Sequence, residues 1–466
     1  MSSRTNGRRR DQGPEVPPEV KAELDDVYRS IIARAPEHDI DPTLDRVRQV
    51  CELLGDPQKA FRTIHVTGTN GKTSTARMTE RLVREHGLRT GRFTSPHLTS
   101  VTERIAIDGE PLSAERFIEV WKDVAPYVEM VDESSEAAGG PRLSFFEVLT
   151  VMAFAAFADA PVDVAVVEVG LGGLWDSTNV VDAEIAIITP VALDHQKWLG
   201  DTVEEIAAQK AGIVKDGATL VLAQQTPLVE DVVVEAASAR GAHVLREGTD
   251  LEVAERFPAV GGQLMSLRTP AGLYTEIFMP VHGAHQAHNA LLALAATEAL
   301  VSGGGALDGD VVGAAFDAMD SPGRLEVVRR SPTILVDAAH NPAGAQALVG
   351  ALEESFDFTR LVGVVGILAD KDAETILSLL EPVLAEVVVT QSGSVRSHDV
   401  DDLEEIAREI FGEERVHNVA RLDVALDVAA ARAESEDLVG VGTGTGVLVT
   451  GSVVLAAEAR ILLGRG

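Results

Sequence analysis

The segment His65–Ser74, which reads H-V-T-G-T-N-G-K-T-S, carries residue types and a spacing that bind phosphate. It lies between an apolar β-like run and a helical pattern, as a phosphate loop does. Glycines turn backbone N–H groups toward phosphate oxygens, the helix N-terminus adds a favourable dipole, and Lys72 neutralises the β- and γ-phosphates. Val66 stands where the consensus G-x-x-x-x-G-K-[ST] has its first glycine, so the loop is a variant. We expect ATP or GTP binding, rather than a helix-capping turn that binds nothing, through Gly68, Thr69, Asn70, Gly71, Lys72, Thr73 and Ser74.

Three polar side chains, Ser95, Glu168 and His195, lie at the ends of apolar runs or in the loops that follow them. Open α/β sheets bind ligands at that edge, and Mg²⁺ prefers hard oxygen ligands. A carboxylate at the end of the run 162–169 has no role in an apolar core. These residues alone leave two interpretations open: a metal site at that edge, or a helix cap for Ser95 and a structural hydrogen bond for His195.

The elements around these residues follow an alternation of apolar β-like runs and longer helical segments, which is typical of doubly wound α/β sheets. Buried strands are predicted at 64–66, 162–169, 185–189, 333–336, 361–367, 387–390 and 438–441. The alternation stops in a glycine-rich stretch near 302–310 and restarts after M-D-S-P-G at 319–323.

This pattern predicts two doubly wound, Rossmann-like domains with a cleft between them. The N-terminal one is a phosphate-loop ATPase domain, and the C-terminal one is smaller. The predicted boundaries are a disordered tail at 1–18, an ATP-binding domain at 19–318, a linker at 319–323 and a C-terminal domain at 324–466.

The composition excludes several classes of protein. The chain of 466 residues has 73 acidic and 40 basic side chains, a formal charge of −33, which opposes non-specific binding to nucleic acid or anionic membranes. The most apolar stretch, 145–160, is interrupted by Glu147 and is too short to span a bilayer. The single cysteine, Cys51, excludes an intramolecular disulfide framework and a cysteine-rich zinc site. No apolar core follows the N-terminal arginines, so we expect a cytoplasmic protein.

Further motifs follow the phosphate loop in a fixed order. They are F-T-S-P-H-L (93–98), E-R-I (103–105), S-F-F-E (144–147), E-V-G-L-G-G (168–173), D-S-T-N-V (176–180), L-D-H (193–195), L-G-D-T (199–202), K-A-G-I (210–213), H-Q-A-H-N-A (285–290), P-G-R-L-E (322–326), D-A-A-H-N-P (337–342) and V-T-G-S (449–452). Together with T-G-T-N-G-K-T-S, this set resembles the Mur ligase superfamily of ATP-dependent amide-forming enzymes. Within it, the chain is similar to the folylpolyglutamate synthase/dihydrofolate synthase family over about residues 20–460.

The resemblance implies a ligase that adds L-glutamate to dihydropteroate, or to the glutamate tail of tetrahydrofolate, and releases ADP and phosphate. A carboxylate is a poor electrophile, so ATP first converts it to an acyl phosphate, from which the amine displaces phosphate. Such a site gathers positive groups around the reacting anions. The residues that the resemblance places in the chemistry are Lys72, His195, Lys210 and Arg324.

Two Mg²⁺ ions are also implied by the resemblance, one held by Ser95 and Glu168 with an ATP phosphate, the other by Glu168 and His195. Lys210 would carry a CO₂-derived carbamate that holds the second ion or orients the acyl phosphate. The alternative for Lys210 is a surface lysine in an ion pair. Gln209 stands where the family usually has glutamate.

For the nucleotide, the resemblance places Asn289 at the adenine, Arg324 at a phosphate, and Asp337 and His340 at the ribose and base. Arg324 follows the predicted linker, so domain closure would bring its guanidinium to the transferring phosphate. The alternative for Arg324 is a salt bridge at the domain interface.

For the pterin, Phe145 and Phe146 are expected to supply apolar and stacking surface, with core packing as the alternative. Asp176 resembles a position linked to dihydropteroate use in bifunctional members. Leu174 replaces the arginine that usually follows E-V-G-L-G-G, and Trp175 comes next. The incoming glutamate is expected to be held from the C-terminal domain by Asp370, Lys371, Arg396 and Ser397.

Two other functions compete with a folate ligase. A Mur-type UDP-sugar peptide ligase carries an additional N-terminal domain, whereas about 60 residues precede the phosphate loop here. A non-catalytic nucleotide-binding paralogue would have damaged metal positions, yet Lys72, Glu168, His195 and Lys210 are all present. Small-molecule substrates and a monomer that binds neither nucleic acid nor membrane are therefore expected, while the choice between the two folate acceptors stays open.

Overall fold

The computed structural model describes residues 16–34, 41–435 and 444–465. Residues 1–15 of the predicted tail and the predicted strand at 438–441 lie outside this described part. Within it, two sheets consist mainly of parallel strands, and a third, small sheet is antiparallel. The prediction of two doubly wound α/β domains is confirmed.

The eight-stranded and three-stranded sheets belong to the N-terminal part of the chain. Its helices are α1 (Pro18–Ile32), α2 (Asp45–Leu53), α3 (Lys72–Glu85), α4 (Ala114–Ala137), α5 (Phe145–Asp159), α6 (Gln196–Leu199), α7 (Val203–Ala211), α8 (Pro227–Ala239), α9 (Ala284–Val301) and α10 (Gly309–Asp317). Its strands are β1 (Arg62–Thr67), β2 (Thr90–Phe93), β3 (Ile105–Ile107), β4 (Glu110–Pro111), β5 (Val164–Glu168), β6 (Ile185–Ile188), β7 (Thr219–Leu222), β8 (His243–Arg246), β9 (Glu252–Ala259), β10 (Gly262–Thr269) and β11 (Gly272–Met279).

The eight-stranded sheet has the order β4-β3-β2-β5-β1-β6-β7-β8. Strands β2, β5, β1, β6, β7 and β8 run parallel, and β3 and β4 close one edge in antiparallel fashion. Because β1 lies between β5 and β6, Val66 pairs with Glu168 and Thr67 with Ile188. This register brings the phosphate loop, which follows β1, beside the end of β5.

Strand β5 shows why continuous apolar runs form the centre of this sheet. All five of its residues are buried, and successive side chains enter different cores, as the strand period of two requires. Val164 and Val166 belong to the core that contains α9, whereas Ala165 and Val167 belong to the core that contains α5. No helix in the described ranges has both the length and the hydropathy of a membrane span.

The antiparallel sheet, in the order β11-β10-β9, is absent from the prediction above. Its inner face, including Met265 and Leu267, packs in the core with α9, while Phe257 on the outer side is exposed. In the sequence these strands mix apolar and polar residues, as half-buried strands do, and so lack the continuous apolar runs by which the parallel strands were predicted. The turn Val260-Gly261, in which Gly261 has a φ of +79°, joins two such strands and is the local feature that predicts a hairpin.

The six-stranded sheet belongs to the C-terminal part. Its helices are α11 (Pro342–Ser355), α12 (Ala373–Leu380), α13 (Val400–Phe411), α14 (Leu422–Glu434) and α15 (Val453–Leu462), and its strands are β12 (Glu326–Arg330), β13 (Thr333–Val336), β14 (Arg360–Val365), β15 (Glu386–Val389), β16 (Val416–Asn418) and β17 (Thr445–Thr450). The order is β12-β13-β17-β14-β15-β16, with only β12 antiparallel to its neighbour among these described strands. Both faces are buried, since Leu335 enters one core and Ile334 and Val336 enter another.

Candidate active site

A cavity of about 680 Å³ lies where the two parts of the chain meet, at the carboxyl ends of their parallel strands. The loops after β1, β2, β5 and β6 line one side, and the loops after β13, β14 and β15 line the other. Open parallel sheets bind ligands at this edge. The predicted site residues in its wall are Gly68, Thr69, Lys72, Ser95, Phe146, Asp176, His195, Lys210, His340, Asp370, Lys371 and Arg396.

The phosphate loop depends on two glycines. Gly68 has a φ of +146°, and a Cβ there would lie 1.7 Å from Thr189 Oγ1. Gly71 has a φ of +88°, and a Cβ there would lie 2.6 Å from Asn289 Oδ1. Gly71 precedes α3 directly and has no side chain to cap it, so the first N–H groups of that helix remain for an anionic ligand.

Two lysines converge on the carbonyl of Gly68. Lys72 Nζ donates to it at 3.2 Å and to the Thr69 carbonyl at 3.1 Å, while Lys210 Nζ donates to Gly68 O at 2.7 Å. Burial lowers the pKa of both ammonium groups, that of Lys210 to about 7. Because Lys210 is buried at the end of α7, the alternative of a surface lysine is wrong.

Glu168 ends β5 beside the phosphate loop, with its carboxylate buried. Thr73 Oγ1 donates to its two oxygens at 2.9 and 3.0 Å, and the Ser95 backbone N–H donates at 3.3 Å. Burial raises the pKa of Glu168 to about 7. A buried carboxylate with only neutral hydrogen-bond donors gains stability from a cation.

These oxygens fit a magnesium ion whose coordination is completed by the phosphates of a nucleotide. Among the described residues, no three His, Cys, Asp or Glu side chains lie close enough to enclose a metal by themselves. Mg²⁺ does not require such a cage, since it commonly binds one or two carboxylates together with substrate phosphates and water. Glu168 and Thr73 supply such oxygens at the end of the phosphate loop, and Ser95 lies beside them.

Asp194 links the two parts of the chain, a role that the sequence analysis missed. Its carboxylate accepts from Lys371 Nζ at 2.5 Å and from Asn341 Nδ2 at 3.0 Å, and His340 Nε2 lies 3.8 Å away. Burial opposes its ionisation, but His195 and Lys371 hold the pKa of Asp194 well below its ordinary value.

A second link crosses the same cavity. The side-chain amides of Asn70 and Asn341 donate to each other's carbonyl oxygen at 3.1 and 3.0 Å. The phosphate loop therefore contacts the start of α11 directly. Asn341 belongs to the motif D-A-A-H-N-P and Asp194 to the motif L-D-H. Membership of these motifs was the sequence signal that could have identified both as site residues.

His195 stands immediately before α6 with a φ of +53°, and 42% of its side chain is exposed. Its ring lies beside Asp194, at 3.9 Å, and the partial loss of water around it in the cavity wall lowers its pKa to about 4. Within the described chain, His195 and Glu168 share no hydrogen bond.

The residues predicted for the nucleotide lie around the phosphate loop and the hinge. Asn289 is buried beside Gly71 and donates to Gln286 Oε1 at 3.2 Å. Arg324 Nη1 donates to Gly323 O at 3.1 Å.

The carboxylate of Asp337, in the second domain, accepts from the backbone N–H groups of residues 325 and 339, each at 2.8 Å, and burial raises its pKa. His340 Nδ1 lies 3.0 Å from the Ala338 carbonyl, and burial lowers its pKa to about 4.

The structure separates the two phenylalanines predicted for the pterin. Phe146 lines the cavity, with its ring centroid 5.5 Å from that of Phe93. Phe145 is instead buried in the core, edge-on to Tyr28 at 5.9 Å, and does not belong to the cavity wall. Consecutive residues of a helix point about 100° apart, so the packing of α5 buries Phe145 in the core and leaves Phe146 in the cavity wall.

Asp176 lies in the cavity wall with both oxygens engaged. It accepts from the Leu171 N–H at 2.8 Å and the Thr178 N–H at 3.0 Å, and burial raises its pKa to about 6. Trp175 and Trp198 also line this region, an apolar surface that the sequence analysis did not assign.

The four residues predicted for glutamate divide into two groups. Asp370 and Arg396 line the cavity as an ion pair at 2.7 Å, and Lys371 lines it while bound to Asp194. Ser397 lies behind them, outside the cavity wall, with its hydroxyl 2.6 Å from that of Ser392.

Comparison with known proteins shows which families share this architecture. The Mur ligase middle domain family matches residues 66–297, and the Mur ligase glutamate ligase domain family matches residues 323–451. A dihydrofolate synthase/folylpolyglutamate synthase of Mycobacterium tuberculosis is 48% identical over 464 residues, which cover 96% of this chain and 95% of that protein.

Solved structures agree with this relationship. A Mycobacterium tuberculosis folylpolyglutamate synthase complexed with ADP and AMPPCP has a TM-score of 0.91 at 47% identity, covering 96% of this chain and 99% of that one. An Escherichia coli protein in complex with DHPP and ADP has a TM-score of 0.79 at 27% identity, covering 95% and 97%. The chain belongs to the dihydrofolate synthase/folylpolyglutamate synthase family of Mur ligases.

Proposed function

We propose that this chain is an ATP-dependent ligase that adds L-glutamate to the carboxylate of dihydropteroate or of the glutamate tail of tetrahydrofolate. The observation that carries the proposal is the convergence of Lys72, Lys210 and Glu168 on a phosphate loop that opens into the cavity between two domains. Family membership supports it and disfavours the UDP-sugar ligase and the non-catalytic paralogue.

The proposed reaction has two steps. The acceptor carboxylate attacks the γ-phosphorus of ATP, a P–O bond to ADP breaks, and an acyl phosphate forms. The amine of glutamate then attacks the acyl carbon, loses a proton, and expels phosphate as the amide bond forms. Lys72 and Arg324 hold the transferring anions, and the N–H groups of the phosphate loop orient them. Asn289, Asp337 and His340 are proposed to hold the nucleoside.

Magnesium is the proposed metal. Glu168, Thr73 and Ser95 would hold one ion with an ATP phosphate, and Glu168 and His195 a second. When bound, these ions neutralise charge on the phosphates. Lys210 is proposed to react with CO₂ as a neutral amine, forming an N–C bond and releasing a proton, so that its side chain ends in a carboxylate.

Each substrate has a proposed position in the cavity. Phe146, Trp175 and Asp176 form the pterin region, and Asp370, Lys371 and Arg396 the glutamate region. We propose a monomer and a cytoplasmic location. We assign the ATP-binding domain to 19–318, the linker to 319–323 and the ligase domain to 324–466.

The test is ADP release with MgATP and L-glutamate, using dihydropteroate, tetrahydrofolate or no pterin. Turnover with both acceptors is expected, and turnover with tetrahydrofolate alone would limit the activity to tail extension. Lys72→Ala should abolish release, whereas the exposed Lys59→Ala should not change it. Absence of turnover with either acceptor would contradict the proposal.

A further inference from the structure

A second cavity of about 480 Å³ lies at the hinge between the two domains, within the size range of small-molecule sites. Seven arginines, four carboxylates and no lysine line it. The whole chain has the opposite balance, with 73 acidic and 40 basic side chains. Such a local excess of guanidinium groups in an acidic protein indicates a site for an anion.

Three of these arginines lie on one face of α3, the helix that begins at the phosphate loop. Arg77, Arg81 and Arg84 are spaced four and three residues apart, so their side chains lie one above another along the helix. Arg92 adds a fourth guanidinium from β2, and Arg460 a fifth from α15. Both domains therefore contribute positive charge to the cavity.

Part of the donor capacity of this cluster is unused in the structure. The guanidinium ends of Arg77, Arg81 and Arg92 pair with Asp320, Glu85 and Glu80, but their Nε atoms are buried and have no hydrogen-bond partner within the described chain. Arg84 and Arg465 donate to backbone carbonyls of residues 108 and 328. Buried donors without partners cost free energy unless a ligand supplies acceptors.

The second cavity adjoins the first. Pro96 and Val453 belong to the walls of both, and Thr73 and Ser74 of the phosphate loop line the second. A ligand whose reacting end lies at the phosphate loop can therefore extend toward the arginines.

We propose that the arginine-lined cavity binds the free carboxylates of the glutamate tail of a folate that already carries several glutamates. This inference rests on the proposed function. Each glutamate joined through one carboxylate leaves its other carboxylate free, so every turnover adds a negative charge near the reacting end. Planar guanidinium groups match carboxylates in a bidentate geometry, which lysine does not offer.

Arg81 and Arg84 are the residues for the test, because both are partly exposed and neither belongs to the proposed catalytic machinery. The measurement is KM and kcat with monoglutamyl and with tetraglutamyl tetrahydrofolate, together with KM for MgATP. The double variant R81Q/R84Q should raise KM for the tetraglutamyl substrate about tenfold, with kcat, KM for the monoglutamyl substrate and KM for MgATP unchanged. R465Q, which changes another arginine that lines this cavity, should act in the same direction.

Arg408→Gln is the matched control, because Arg408 pairs with Glu404 four residues away on α13, as Arg81 pairs with Glu85 on α3. It should leave all these constants unchanged. A KM for the tetraglutamyl substrate that stays at its wild-type value in the variants would overturn the inference alone. A higher KM for MgATP with either folate would assign the arginines to nucleotide phosphates and overturn it as well. Wild-type protein that uses neither folate would overturn the proposed function together with this inference.

Discussion

At the scale of single residues, burial sets the chemistry of Lys210. Its amine lies 2.7 Å from the Gly68 carbonyl, and burial lowers its pKa from 10.5 to about 7. Below pH 7 the group is therefore mainly an ammonium ion, and above pH 7 it is mainly a neutral amine. Only the neutral form has the lone pair that attacks CO₂.

We expect a carbamate on Lys210 that increases between pH 6 and pH 8. The measurement is the ¹³C NMR spectrum of protein equilibrated with ¹³C-bicarbonate at each pH. Lys210→Met should remove the signal, whereas Lys59→Met should keep it, because the exposed Lys59 pairs with Asp56 and stays protonated. A signal of equal size in the Lys210→Met protein would contradict the carbamate.

At the scale of elements, the turn from β1 into α3 is local, and the sequence therefore predicted it well. The spacing of Gly68, Gly71 and Lys72 places the loop, the helix start and the phosphate-binding N–H groups together. The side of α5 that faces the cavity could not be predicted in the same way. Whether Phe145 or Phe146 lines the cavity depends on how α5 is rotated by its packing against α4 and β2, which no local pattern contains.

Gly71→Ala should reduce MgATP binding about a hundredfold, because the new Cβ would meet Asn289 and displace the loop. Gly55→Ala is the matched control, since Gly55 has a similar φ of +80° but open space around it. Both variants should lose about 1–3 kcal/mol of unfolding free energy from backbone strain. Calorimetric titration with MgATP checks the difference, and equal affinities in the two variants would show that the loop tolerates the side chain.

At the scale of the whole molecule, the ion pair between Asp194 and Lys371 joins the two domains. Both side chains are less than a tenth exposed, and the residues are 177 positions apart in the sequence. The sequence could place each residue at a strand end, but their contact depends on the relative orientation of two domains. Removing one partner of such a buried pair costs about 3–5 kcal/mol because the other charge is left uncompensated.

Asp194→Asn should therefore favour an open arrangement of the domains. We expect a larger radius of gyration by small-angle X-ray scattering and a lower kcat/KM for both glutamate and ATP. Glu23→Gln is the control, because it breaks the exposed pair with Lys122 within one domain. Unchanged scattering in Asp194→Asn would show that the remaining contacts, such as Asn70 with Asn341, suffice for closure.

In the proposed reaction, this cavity joins a carboxylate to glutamate through an acyl phosphate. The most direct measurement uses dihydropteroate labelled with ¹⁸O in its carboxylate, with MgATP and L-glutamate, and determines the mass of the phosphate released. An acyl phosphate transfers one labelled oxygen to phosphate in each turnover, so we expect one ¹⁸O per phosphate. Released phosphate without ¹⁸O, together with amide formation, would contradict the account.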